Sequence, residues 1–169
     1  MNLKKIVLAS ILGALSVIID MVFKLVIPIS TIGTPFYAIP IIIIGLFLGI
    51  KYSVIIAFLA DLITVLIAGI PFFPIFSLGS MMWGIFPALF LKPDSKIWKK
   101  TLFIVLTYLM VTIINSFGLY IHYHKSLVGL LADLPIRLGL IIPNTIVIVL
   151  LVEALIEPVK IKLYLTSHN

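Results

Sequence analysis

The stretch of the chain that decides the fold is residues 53–70, which read SVIIAFLADLITVLIAGI. Asp61 is the one ionisable residue in this stretch. An apolar run of about 18 residues is long enough to cross the hydrocarbon core of a bilayer as a helix, whereas buried helices of soluble proteins usually have shorter apolar runs. Residues 53–70 therefore predict a transmembrane helix.

The rest of the chain has the same character. Of its 169 residues, 63% are hydrophobic and only 11% are charged, and the mean hydropathy is +1.34. Soluble domains average about one quarter charged residues, so this chain has too few charges to cover a water-facing surface. The composition predicts an all-α integral membrane protein.

Six transmembrane helices are predicted from the apolar runs and the turn-forming residues between them. The predicted spans are 6–29, 38–50, 53–70, 76–91, 101–120 and 136–156. The second span covers only about 20 Å at 1.5 Å per residue, so it must be partly buried in protein or extended by the preceding segment. No long polar stretch remains, and we predict one six-helix domain over residues 1–169.

The orientation is predicted from the basic residues, which accumulate in cytoplasmic loops. With the N-terminus inside, nine of the twelve basic residues face the cytoplasm: Lys4, Lys5, Lys51, Lys92, Lys96, Lys99, Lys100, Lys160 and Lys162. A five-span alternative without the second span would place Lys51 at membrane depth. We therefore predict six spans with both ends inside, and this placement explains the net charge of +6 without nucleic acid.

Asp61 and the pair Asp20 and Lys24 are among the charged residues within the predicted spans. Asp61 lies at membrane depth, where an ionisable group usually faces a binding site, a partner charge or water. The alternative is a carboxyl group that is hydrogen-bonded to a hydroxyl or amide on the next helix, and the sequence does not separate the two. Asp20 and Lys24 are four residues apart, which suits a local ion pair.

Arg137 and two asparagines are further candidates for ligand binding. Arg137 lies at the outer start of the last predicted span, and Asn144 follows seven residues later on the same helical face. A guanidinium group there could clamp a carboxylate, or it could reach the lipid headgroups instead. Asn115 in the fifth span offers an amide, whose alternative use is a hydrogen bond between helices.

Aromatic residues cluster in the predicted outer loops: Phe36, Tyr37, Phe72, Phe73, Phe76, Tyr120 and Tyr123. Aromatic belts at the membrane surface explain many such residues, but similar side chains also stack on planar ligands. His122 and His124 have no carboxylate pair nearby, so we predict no metal site.

The chain has no phosphate-binding loop, nucleophile elbow or metalloprotease helix, and no repeated pair of broken helices. These absences predict a binding protein, not an enzyme, and one that depends on a partner for energy. Ala9 and Gly13, four residues apart on the first helix, form a small-residue face. Its occupant is either a helix of the same bundle or a partner subunit.

Together these features resemble the substrate-binding S components of energy-coupling factor (ECF) vitamin transporters, and the folate type is the most similar. The stretches that carry the likeness are, in order, Ile39-Pro40, Gly45 to Gly49, Ala60-Asp61-Leu62, Phe73 to Leu78, Trp83 to Phe86, and the run from Asn115 through Tyr123, Leu131 and Leu134-Pro135-Ile136-Arg137-Leu138 to Pro143. The chain departs from the family at Gly49-Ile50, where Gly-Pro is common, and at Lys24, where an arginine is expected. It also has Gly139 and Leu140 where a basic residue usually follows.

The resemblance implies a multi-pass protein of the bacterial plasma membrane, without cofactors, that binds a vitamin in an outward-facing cavity. It delivers the vitamin inward with a transmembrane coupling subunit and two cytoplasmic ATPase subunits, and docks through Ala9 and Gly13. The implied substrate-binding residues are Lys24, Phe36, Tyr37, Asp61, Phe73, Phe76, Ser77, Asn115, Arg137 and Asn144. Folate is the first choice of ligand. The alternatives are pantothenate or another vitamin or precursor, and a membrane assembly protein without transport function.

Overall fold

The computed structural model describes residues 3–26, 34–124 and 126–167. Their regular elements are all helical, which confirms the predicted all-α fold for this part of the chain. The helices are α1 (Leu3–Val26), α2 (Ala38–Leu48), α3 (Ile50–Ala68), α4 (Pro74–Phe90), α5 (Ile97–Leu119), α6 (Leu127–Gly139) and α7 (Ile141–Ser167). A 3-10 turn, Pro35–Tyr37, precedes α2, and a π-helical turn, Tyr120–His124, follows α5.

Four helical segments are long and apolar enough to cross a membrane: Leu3–Val26, Ile50–Ala68, Ile97–His122 and Ile141–Ile161. Two shorter apolar helices, Pro35–Leu48 and Pro74–Phe90, complete a set of six in the predicted order. Residues 27–29 of the first predicted span lie outside the described residues. The number of membrane crossings and the cytoplasmic placement of both ends stay predictions.

Helix α2 forms the centre of the bundle. Its residues Ile41 to Ile44 are each at most 1% exposed, and the helix contacts α1, α3, α4 and α7. A helix that is apolar all round is stable only where other helices surround it. The short second span is thus buried in protein, one of the two outcomes predicted from its length.

A single residue, Gly49, separates α2 from α3. Its φ of +91° lies in a region that side chains disfavour, so glycine permits the chain to reverse there without strain. The predicted spans left residues 51 and 52 between these helices, but α3 already begins at Ile50.

The predicted start of the last span, residue 136, is wrong. Residues Leu127–Gly139 form a separate helix, α6, which the sequence did not predict, and α7 begins at Ile141. Pro143 has no N–H to donate to the Gly139 carbonyl, so one backbone hydrogen bond is missing at the junction between α6 and α7. Arg137 lies in the last turn of α6 and Asn144 in the first turn of α7. The expectation that these two residues share one helical face is therefore also wrong.

Candidate ligand-binding site

Tyr37 lines two cavities between the helices of the described part of the chain. The arginine cavity encloses about 460 Å³, including space open to solvent, and is lined by Pro35, Tyr37, Tyr108, Val111, Thr112, Asn115, Arg137 and Leu140. The aspartate cavity encloses about 200 Å³ on the same measure and is lined by Ser16, Asp20, Tyr37, Ile41, Ala57, Ala60, Asp61, Thr64 and Ser80. Among the candidate residues predicted from the sequence, Asn115 and Arg137 line the arginine cavity, Asp61 lines the aspartate cavity, and Tyr37 lines both.

One face of α5 forms much of the arginine cavity. Tyr108, Thr112 and Asn115 are spaced four and three residues apart, so they follow one another along the same side of the helix. The 3-10 turn contributes Tyr37, and Arg137 comes from the end of α6. The cavity therefore combines two phenol rings, an amide and a guanidinium group.

Asn144 reaches this cavity indirectly. Its Nδ2 donates a hydrogen bond to the Tyr108 hydroxyl at 2.9 Å, and the side chain is buried. Arg137 interacts electrostatically with the same tyrosine and with Asp133, one turn earlier on α6. Arg137 and Asn144 therefore converge on Tyr108 from different helices.

The Asn115 amide has an unusual environment. Its Oδ1 is buried and has no hydrogen-bond partner within the described part of the chain, which is uncommon because buried polar groups are normally paired. A Cβ atom at Gly79 on α4 would lie 2.5 Å from this oxygen. Gly79 thus provides the space that the Asn115 side chain occupies.

Asp61 lies outside the arginine cavity. It accepts hydrogen bonds from the hydroxyls of Ser77 and Ser80 on α4, the second at 3.4 Å. A hydrogen bond to a hydroxyl on a neighbouring helix is one of the two alternatives given by the sequence. Ser77 is likewise occupied with Asp61 and lines neither cavity.

Four other candidate residues also line neither cavity. Lys24 forms the predicted local ion pair with Asp20, with an N–O distance of 2.8 Å. The remaining three are aromatic: the ring of Phe36 packs against Phe23 at a centroid distance of 4.8 Å, and Phe73 stacks on His122 at 3.9 Å and meets Phe76 edge-on at 6.3 Å. Contact of Lys24 and these aromatic residues with a ligand stays a prediction.

The small-residue face of α1 is turned inward. Ala9 is 1% exposed, and a Cβ atom at Gly13 would lie 2.6 Å from Ile56 Cγ2 on α3. Contact with a helix of the same bundle, one of the two predicted uses, is what the structure shows for Ala9 and Gly13. Ser10 and Ala14, which have the same spacing, are exposed.

Sequence reasoning missed Tyr108. A signal existed, because Tyr108 precedes Asn115 by seven residues and so lies two helical turns away on the same side of α5. The sequence pattern singles out the aromatic residues of the predicted outer loops instead.

The family model described as "ECF transporter, substrate-specific component" matches residues 4–159 of this chain. The match includes all seven helices apart from the first residue of α1 and the last residues of α7. A search of curated proteins finds no match.

Proposed function

Because this chain belongs to the family of ECF transporter substrate-specific components, we propose that it is the vitamin-binding membrane subunit of such an importer. Members of the family are transporter subunits, which bind a small-molecule substrate and work with a coupling subunit and ATPases. In this proposal the six apolar helices cross the bacterial plasma membrane with both ends inside. The arginine cavity opens to the outer side and receives the vitamin.

The observation that carries the proposal is that Arg137, Tyr37, Tyr108 and Asn115 line one cavity. A guanidinium group binds a carboxylate by two parallel hydrogen bonds, and tyrosine rings stack on planar ligands. The Asn115 Oδ1 is enclosed beside Gly79, and a rotation of the amide would bring this acceptor to a donor of the ligand, such as a ring N–H. A ligand with all three features fits this set of side chains.

Folate is the ligand that we propose first. It combines a flat pterin ring with N–H donors and a glutamate tail with carboxylates, so it addresses the tyrosines, Asn115 and Arg137 together. Pantothenate has a carboxylate but no aromatic ring, and it comes second. We keep Lys24, Phe36, Phe73 and Phe76 as candidates for contact with the part of folate that extends beyond the cavity.

We propose a revised docking surface for the coupling subunit. Ala9 is buried in the bundle and Gly13 is packed against Ile56 of α3, so a partner cannot reach them without moving α1 away from the bundle. Ser10 and Ala14 keep the same four-residue spacing on the exposed side of α1 and permit close approach of another backbone. The partner face is therefore shifted by one residue along the helix.

This revision is testable with paired variants. Leucine at Ser10 and Ala14 is expected to abolish co-purification with the coupling subunit and to leave vitamin binding unchanged. Leucine at Ala9 and Gly13 is expected to lower the thermal stability of the isolated protein, because the core around Ile56 has no space for it. If the Ser10 and Ala14 variant still co-purifies normally, the docking proposal is wrong.

The function itself is tested by vitamin titration of the purified protein in detergent. We expect folate to bind at micromolar concentration or below, and pantothenate to bind more weakly. Binding of neither vitamin at micromolar concentration, together with no small molecule retained in native mass spectrometry, would favour the assembly-protein alternative.

A further inference from the structure

The aspartate cavity is separate from the proposed vitamin site and has no role in the function proposed above. It lies where α1, α3 and α4 meet, and the Tyr37 side chain stands between it and the arginine cavity. Five of its lining residues carry oxygen atoms on short side chains: Ser16, Asp20, Asp61, Thr64 and Ser80. The cavity has room for about one water-sized particle.

The charges around this cavity do not balance. Lys24 pairs with Asp20 at 2.8 Å. Asp61 has the hydroxyls of Ser77 and Ser80 as partners, and no lysine or arginine forms an ion pair with it among residues 3–26, 34–124 and 126–167. A carboxylate at membrane depth is costly unless a positive charge or a proton compensates it. Lys24 interacts electrostatically with Asp61 as well as with Asp20, so it faces two carboxylates, and an ionised Asp61 leaves the cavity one positive charge short.

Thr64 gives an independent indication of a ligand. Its side chain is 1% exposed and lines the cavity, yet its hydroxyl makes no hydrogen bond within the described residues. Two other helical threonines, Thr101 and Thr107, donate to the carbonyl four residues earlier, at 3.0 and 2.7 Å. Thr64 borders the cavity, so its hydroxyl is a polar group available to an occupant.

From these features we infer that the aspartate cavity binds a single monovalent cation, with Na+ the best fit. The available donors are all oxygen atoms: the Asp61 carboxylate and the hydroxyls of Thr64, Ser80 and Ser16. Hard oxygen ligands suit alkali and alkaline-earth ions, whereas His and Cys suit transition metals. One uncompensated carboxylate matches one positive charge, and Ca²⁺ sites usually supply more carboxylates. The small space favours Na+ over the larger K+.

A cation at this position would connect α1, α3 and α4, because its ligands come from all three helices. It would therefore stabilise the folded bundle in proportion to its occupancy. This effect does not require that the protein bind folate or any other vitamin, so a failure of the vitamin proposal would leave it unaffected.

The experiment measures thermal unfolding of the purified full chain in detergent while NaCl replaces choline chloride at constant ionic strength. We expect the melting temperature to rise with Na+ and to saturate, with a smaller rise for KCl. Asp61→Asn is expected to abolish the rise, while Asp94→Asn, which changes an exposed carboxylate paired with Lys160, keeps it. Thr64→Val is expected to weaken the apparent Na+ affinity at least about tenfold, as loss of a coordinating or supporting group does.

Thr107→Val is the matched control for Thr64→Val, since Thr107 is equally buried but its hydroxyl is already bonded within its own helix. It should leave the Na+ affinity unchanged. Equal melting temperatures in Na+, K+ and choline would overturn the inference and indicate a cavity that holds water beside a protonated Asp61. Equal rises in Na+ and K+ would overturn the assignment to Na+. If Asp61→Asn does not fold, an unchanged Na+ affinity in Thr64→Val would overturn the site.

Discussion

Tyr37 lines both cavities, but the polar side chains of the two cavities differ in their hydrogen bonding. The arginine cavity presents a guanidinium group and an unpaired amide oxygen beside two phenol rings, and it is the larger of the two. In the aspartate cavity the carboxylate already accepts hydrogen bonds from two serines, and the space is small. Polar residues at membrane depth therefore need not serve one site. Here we propose the larger cavity for the vitamin and the smaller one for an ion.

The largest effect on folate affinity is expected from truncation of Tyr37, the side chain that lines both cavities. Tyr37→Ala should weaken folate binding by about 2–4 kcal/mol, or about 30- to 1,000-fold, because a buried aromatic anchor is lost. The same variant should alter the Na+ response, since the two cavities then become continuous. Vitamin titration and thermal unfolding of one protein preparation measure both effects.

Phe36→Ala is the control for this variant. Phe36 adjoins Tyr37 in the same 3-10 turn, but its ring packs against Phe23 and lines neither cavity. Its truncation should change folate affinity less than that of Tyr37. A loss for Phe36→Ala that equals or exceeds the loss for Tyr37→Ala would mean that the ligand site lies elsewhere.

A moderate effect is expected at Asn115. Asn115→Ala should weaken folate binding by about 1 kcal/mol, or about fivefold, since one hydrogen-bond acceptor is lost. Gly79→Ala should weaken binding in the same direction without touching the ligand, because its new Cβ would displace the Asn115 amide. Calorimetric titration of both single variants and the double variant checks this.

The two losses should not add, since both variants remove the same interaction. Fully additive losses would show that Gly79 acts by another route. Unchanged affinity in Asn115→Ala would exclude the amide from the site.

The smallest effect on vitamin affinity is expected from a substitution at Asp61. Asp61→Asn should change folate affinity by less than about threefold, because this carboxylate lies in the other cavity and other partners already satisfy it. The resemblance to folate-type S components implied a direct contact with the ligand. A loss of folate affinity comparable to that of Tyr37→Ala would mean that Asp61 contacts the ligand. The two cavities would then not be separate sites.

The sequence predicts much of the fold, because long apolar runs indicate helices that lie in the hydrocarbon core of a membrane. It does not predict the break between α6 and α7. There the run 136–156 is largely apolar, and its few polar residues do not mark the break. The missing N–H of Pro143 and the packing of α6 accompany it.

The candidate site is only partly readable from the sequence. Arg137 and Asn115 stand out because polar groups are rare at membrane depth. Their separation from Asp61 depends on where Tyr37 packs, which is a tertiary property. Likewise α1 contains two small pairs, at 9 and 13 and at 10 and 14, and only the packing of α3 decides which pair is buried.

The central claim is that the arginine cavity binds a carboxylated vitamin through Arg137. The most direct test is calorimetric titration of the native protein, Arg137→Ala and Arg137→Lys with folate and with a folate diamide, which lacks both carboxylates. A charge-assisted bidentate contact is worth about 2–4 kcal/mol, so the native protein should prefer folate by about 30- to 1,000-fold. Arg137→Ala should lose this preference, and Arg137→Lys should recover part of it because the planar fork is missing. If Arg137→Ala keeps the full preference for folate, or weakens both ligands equally, the claim is contradicted.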